Sequence, residues 1–206
     1  MMNATIIDYG MGNVQSVRKA VERVGGTARI TSNGDEIRTA EHLILPGVGY
    51  FSKAMQLLNR LDLIGPLTEA VNRHGIPILG ICLGMQLFAA HSEEGDCPGL
   101  GWIEAEIVHF TPQDVTPYKI PHVGWNMITP AGDTFLLSGV KPEDSYYFVH
   151  SYYMNCHRQQ DILATTDYGI SFVSLVNRNN IYGAQFHPEK SHSAGLKIIN
   201  NFLHIT

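Results

Sequence analysis

The first half of the chain alternates short apolar, β-branched runs with stretches of helical periodicity, and this alternation limits the available folds more than any other feature. Residues 4–8 form one such run and end in a turn carrying Gly10 and Gly12, after which Val14, Val17, Ala20, Val21 and Val24 recur at helical spacing. Runs at 27–31, 41–45 and 76–81 read as further strands, and 51–60 and 63–73 as helices. Strands followed by helices imply parallel pairing, and a buried run such as 76–81 needs cover on both faces of its sheet. From about residue 103 the pattern changes to strands separated by short turns, at 103–110, 122–128, 145–152, 162–167, 171–177 and 181–186. These are expected to add antiparallel strands at the sheet edge, and a helix at 193–204 closes the chain. The expected fold class is therefore α/β: one domain over residues 1–206, with a largely parallel central sheet, helices on both faces and added antiparallel strands.

A chain of 206 residues is long enough for one full core and short for two. Hydrophobic residues make up 44% and charged residues 16%; the latter is below the ~25% usual for soluble domains and excludes a disordered or coiled-coil chain. A formal charge of −5 argues against binding to nucleic acid or an anionic membrane through a general basic field. The most apolar stretch, 76–90, is interrupted by Pro77, Gly80, Gly84 and Gln86 and falls short of the ~20 residues that span a bilayer. Cys82, Cys97 and Cys156 are odd in number and irregular in spacing, and the first residues carry no leader pattern, so a reducing cytoplasmic setting is expected. Gln15 stands where a dinucleotide fingerprint requires glycine, and no Walker sequence occurs. No cofactor is expected and no metal site, with His91, His109 and His157 assigned to structural or surface roles.

The chemistry concentrates around Gly80-Ile81-Cys82-Leu83-Gly84, between the apolar strand and a helix expected to begin near Met85. Small residues on either side of a nucleophile permit a sharp strand-to-helix turn that leaves it exposed above the sheet. A helix N-terminus favours thiolate, and backbone N–H groups there can receive an oxyanion. The bland alternative is a small core cysteine between glycines; the strand, turn and helix context favours the nucleophile. His187 is the best base among ten histidines, because Pro188 enforces extension before it and places Glu189 two residues on, toward the same side. Pro46-Gly47-Val48-Gly49 follows another buried strand, where ligand-contacting loops sit in doubly wound sheets.

These residues resemble the class I, triad-type glutamine amidotransferases, and within them the glutaminase subunits of imidazole glycerol phosphate synthases. The resemblance covers nearly the whole chain: DYGMGN at 8–13, LPGVG at 45–49, GICLGMQ at 80–86, PHVGWN at 121–126, YFVHSYY at 147–153 and QFHPEKS at 185–191. It implies a Cys82, His187 and Glu189 triad that attacks the carboxamide of glutamine through a glutamyl thioester. It also implies an oxyanion hole from the N–H groups of Leu83 and Val48, with Gly47 permitting a peptide rotation. Gln86, Gly49 and the backbone of His150, Ser151 and Tyr152 would bind glutamine. Ammonia would pass to a separate barrel-shaped cyclase subunit, in a heterodimer that makes imidazole glycerol phosphate and an aminoimidazole carboxamide ribotide in histidine biosynthesis. Trp125, Asn126 and Asn13 are the expected contacts with that partner. A (β/α)₈ cyclase needs ~250 residues beyond this domain, which places it on another chain.

Three other readings remain. The segments HSEEGDCPGLGWIEAEIVHF and HPEKSHSAG also resemble a branch of the same subunit family that feeds ammonia to a sugar amidotransferase in surface-polysaccharide biosynthesis. A non-catalytic binding module would retain the fold without needing the triad. A cysteine hydrolase acting on peptides would not need PGVG or Gln86.

Overall fold

The computed structural model describes residues 2–111 and 118–205. These residues form fourteen strands and six α-helices, and the first half alternates strand and helix as expected, with one short helix added between its second and third strands. In chain order they are β1 (Asn3–Ile7), α1 (Val14–Arg23), β2 (Thr27–Thr31), α2 (Gly34–Arg38), β3 (His42–Gly47), α3 (Phe51–Arg60), α4 (Ile64–Thr68), β4 (Ile78–Cys82) and α5 (Leu83–Gln86). The second half holds β5 (His91–Ser92), β6 (Cys97–Pro98), β7 (Ala105–His109), β8 (His122–Met127), β9 (Thr129–Pro130), β10 (Ser145–His150), β11 (Tyr152–Cys156), β12 (Ile162–Asp167), β13 (Ser171–Arg178), β14 (Ile181–Ala184) and α6 (His192–Leu203).

Eight strands make the main sheet in the order β2-β1-β3-β4-β14-β13-β12-β9. The first five are mutually parallel and the last three antiparallel. Side-chain alternation divides the core between the two faces. Ala4, Ile6, Ile44, Leu79 and Ile81 pack with Val17 and Val21 of α1 and Ile198 and Phe202 of α6. Ile7, Leu43, Leu45 and Ile78 pack with Phe51, Leu58 and Leu67 of α3 and α4. Cover on both faces is why these strands carry apolar residues at nearly every position.

Four expectations are corrected. The run at 145–152 is not one strand: it breaks at Ser151, with β10 pairing β8 and β11 pairing β7. The second-half strands do not all extend the main edge, since β8 and β10 form a separate pair and β5, β6, β7 and β11 another sheet. β14 is parallel and lies inside the sheet between β4 and β13. The helix expected over 63–73 is α-helical only to Thr68 and continues as a wider π turn, Glu69–Arg73. Among the described residues no helix is long and apolar enough to cross a membrane.

Candidate active site

Cys82 ends β4 with φ 54° and ψ −111°, a conformation that L-residues rarely hold and that costs ~1–3 kcal/mol unless its surroundings impose it. Those surroundings are close-packed. A Cβ on Gly84 would lie 1.8 Å from the Leu45 carbonyl oxygen, and one on Gly80 would lie 2.6 Å from the Met85 nitrogen. Only glycine fits on either side of the turn. The following helix begins at Leu83 rather than near Met85 and is a single turn, Leu83–Gln86, so its macrodipole adds little and the N–H groups of that turn are the useful feature.

Parallel pairing determines what flanks the thiol. Gly47 of β3 stands opposite Cys82. On the other side Ala184 of β14 pairs with Ile81, so Gln185 runs alongside Cys82 and His187 follows two residues later, on the same side of the extended chain. His187 is extended (φ −97°, ψ 94°), as Pro188 requires. Glu189 then lies in a 3₁₀ turn rather than in further extended chain, and its Oε1 accepts from His187 Nδ1 at 2.8 Å, with both side chains 2% exposed. The His187 backbone is held by Tyr147, Lys190 and Ser191.

His187 Nε2 is buried without a well-aligned partner, a looseness usual before substrate binds. Burial opposes its protonation, but hydrogen bonding and charge interaction with Cys82 and Glu189 outweigh burial and push the imidazolium up to about 10. A base so disposed is able to accept the cysteine proton. Cys97 and Cys156 lack such surroundings, and burial pushes both thiols up, Cys156 to about 12.

Cys82 and His187 open into a cavity of about 320 Å³, also lined by Val48, Gly49, Leu83, Gln86, His150, Ser151 and Tyr152, within the range of small-ligand clefts. The expected site residues thus come together, with Glu189 behind His187 rather than on the wall. Gln86 points its amide inward: Nε2 donates to the Tyr152 carbonyl at 2.9 Å and to Gln185 Oε1 at 3.0 Å. Both hydrogens are spent, so it can offer a ligand only its oxygen. His150 Nδ1 donates to the same Tyr152 carbonyl at 2.9 Å, and His150 Nε2 therefore accepts from His122 Nδ1 at 3.0 Å. Burial depresses His122 to about 4 and His150 to about 3, so the pair is neutral. The carbonyls of Ser151 and Tyr152 are already taken, which leaves the N–H groups of these two residues to offer.

Several groups at the site escape motif reading. Glu94 is the one acidic residue on the cavity wall; it accepts from Phe51 N–H at 2.8 Å, and burial raises its carboxyl above the ordinary value. Nothing in Glu93-Glu94 marks which carboxylate turns inward. Tyr9 places an unpartnered, buried hydroxyl beside Gly47, and burial together with the charge on Cys82 raises its phenol. Among the described residues no group of three His, Cys, Asp or Glu is disposed to hold a metal.

The expected partner contacts separate. Trp125 is 48% exposed and stacks on His192 at 4.9 Å, in line with exposed Val123 and Met127 on one face of β8. Strand alternation sends Asn126 to the other face of β8 from Trp125, where its amide donates to the Asp167 carbonyl at 2.9 Å. Asn13 is exposed and caps α1, accepting from Ser16 N–H.

The model of the class-I glutamine amidotransferases matches residues 5–206. The imidazole glycerol phosphate synthase subunit HisH 2 of Pseudomonas aeruginosa is 44% identical over 97% of this chain and 98% of its own. The subunit HisH of Salinibacter ruber is 45% identical over 96% and 92%, and HisH 2 of Methanococcus maripaludis 46% over 96% and 97%. Among solved structures, PurLQS of Thermotoga maritima aligns with a TM-score of 0.74 at 15% identity over 98% of this chain and 96% of that one. A glutamine amidotransferase aligns at 0.72 and 16% over 98% and 99%. At these identities the structural likeness speaks for the fold alone.

Proposed function

The chain belongs to the class-I glutamine amidotransferase family, and from that premise we propose that it is the glutaminase subunit of an imidazole glycerol phosphate synthase, supplying ammonia for histidine biosynthesis. The observation that carries the catalytic reading is the buried line from Glu189 through His187 to Cys82 on the wall of the cavity. The cysteine proton passes to His187 Nε2, and the thiolate attacks the carboxamide carbon of glutamine. Leu83 and Val48 N–H groups receive the oxyanion, His187 returns the proton to departing ammonia, and water attacks the resulting glutamyl thioester with His187 again as base. Glutamine's ammonium group suits the Gln86 oxygen and Glu94, and its carboxylate suits the N–H groups of Ser151 and Tyr152, since His150 N–H faces His122 in the ladder of β10 with β8.

Ammonia leaves for a cyclase subunit docked on the face of β8 that carries Trp125. The test is glutamate release by the purified chain alone, with a histidine-pathway cyclase, and with that cyclase carrying its phosphoribulosyl ligand. The family resemblance implies a peptide rotation at Gly47 that turns the Val48 N–H to the oxyanion only when the partner docks. For that gating the expected order is poor, better and best, because a missing oxyanion donor costs ~10²–10³ in rate. Full activity without any partner refutes the gating. Activation only by a sugar amidotransferase transfers the role to the polysaccharide branch.

A further inference from the structure

Among the described residues, Cys82 Sγ is met by His187, by the Val149 carbonyl oxygen at 3.8 Å and by Gln185 Nε2 at 3.8 Å. Their chemistry differs. The Val149 carbonyl can only accept, so it suits the protonated thiol. Gln185 presents an N–H, which suits the thiolate.

The orientation of that amide is forced by a chain of one-way bonds. The Tyr152 carbonyl can only accept, so Gln86 must turn its NH₂ toward it. The second hydrogen of that NH₂ then points at Gln185, which must answer with Oε1. The remaining end of Gln185, its NH₂, is thereby aimed at Cys82 Sγ. The side chain is fully buried, so no solvent competes for it, and the register of β14 against β4 places it beside the thiol.

We propose that Gln185 is a further catalytic residue of this site, donating an N–H to the Cys82 thiolate and stabilising it opposite His187. The inference rests on the reading of Cys82 as the nucleophile. When the cysteine proton moves to His187 Nε2, the electron pair left on sulfur gains Gln185 as a donor, and the Val149 carbonyl loses the S–H it accepted. Gln185 keeps its own protons throughout. Gln86 and Tyr152 thus face two ways: they line the cavity and also set the polarity of the amide behind the nucleophile.

The alternative is a structural role in which Gln185 merely satisfies Gln86. Alkylation by iodoacetamide separates the two, because this small reagent does not need the glutamine site. Cys82 labelling at pH 7 is followed by peptide mass spectrometry in wild type, Gln185→Met and Gln185→Glu, with Cys97 and Cys156 as internal references. Gln185→Glu keeps an oxygen for Gln86 and removes the N–H donor facing sulfur. Both variants should slow Cys82 labelling roughly tenfold, the scale of a hydrogen bond to a charged group, and leave the reference cysteines unchanged. Wild-type labelling rates in the variants, with only a raised KM for glutamine, would overturn the proposal. Should Gln185→Met fail to fold, the neutral Gln185→Leu replaces it, because the carboxylate of Gln185→Glu also repels the thiolate and so serves only alongside a neutral variant. Wild-type Cys82 that a glutamine-analogue alkylator does not label would instead overturn the nucleophile reading.

Discussion

Replacing Glu189 by glutamine isolates the charge behind the base from its shape. The carboxylate accepts His187 Nδ1–H at 2.8 Å with both side chains 2% exposed. Its second oxygen is buried without a protein partner. An amide fills the same space and retains an oxygen for Nδ1–H, so the ring keeps its orientation and loses its counter-ion. Opposite charges ~4 Å apart at an effective dielectric near 20 attract by about 4 kcal/mol. That is an upper bound on what is lost from the thiolate–imidazolium state, and it corresponds to a rate loss of up to ~10³. We expect Glu189→Gln to lower kcat by ~10²–10³ with little change in KM, because Glu189 is not on the cavity wall. His187→Asn removes the proton carrier itself and should cost more. The pH profile supplies a second readout. His187 is held as imidazolium up to about 10 in part by Glu189, so in Glu189→Gln it loses its proton at lower pH and the alkaline limb of activity moves toward neutrality. Glutamate release measured with the cyclase present, from pH 6 to 10.5, checks both. A Glu189→Gln variant within threefold of wild type with an unshifted alkaline limb would refute the reasoning.

Three further outcomes follow from the geometry. Cys82→Gly should abolish glutaminase activity and raise Tm above that of Cys82→Ala, by the equivalent of ~1 kcal/mol, because glycine relieves the positive φ; equal melting temperatures would mean that the turn is unstrained. His122 and His150 bind protons only near pH 4 and pH 3 when folded but near 6.5 when unfolded. The unfolded chain therefore takes up more protons as pH falls from about 6.5 toward 4, and stability drops in that window; urea unfolding at pH 7 and 4.5 should show a smaller drop for His122→Phe than for wild type. Trp125→Ala should weaken cyclase binding at least tenfold in calorimetry, as for a central aromatic contact, while Asn126→Ala leaves affinity within about threefold because its amide is bound to Asp167 on the other face of β8.

Much of the site was legible in the sequence because its signals are local. An apolar strand, a glycine-flanked cysteine and a proline-fixed His-x-Glu each state their own backbone geometry, and together they led to Cys82, His187 and Glu189. The family motifs led to Gln86 and to the loop at 46–49. The apolar alternation likewise required a parallel sheet covered on both faces.

What the tertiary structure decided depends on register and on sheet membership, which no local window carries. The 145–152 run reads as continuous, yet Phe110 N–H takes the Ser151 carbonyl and the chain changes sheets there. Asn126 and Trp125 are neighbours in sequence, and a strand's period of two sends them to opposite faces. Gln185 gains its meaning only when β14 pairs with β4 and Gln86 fixes which end of its amide meets the sulfur. Glu94 enters the cavity because it caps the start of α3, a contact across 43 residues of sequence. Composition and periodicity determine which residues must be buried; only the pairing of distant strands determines which polar groups are buried together, and the chemistry arises from that pairing.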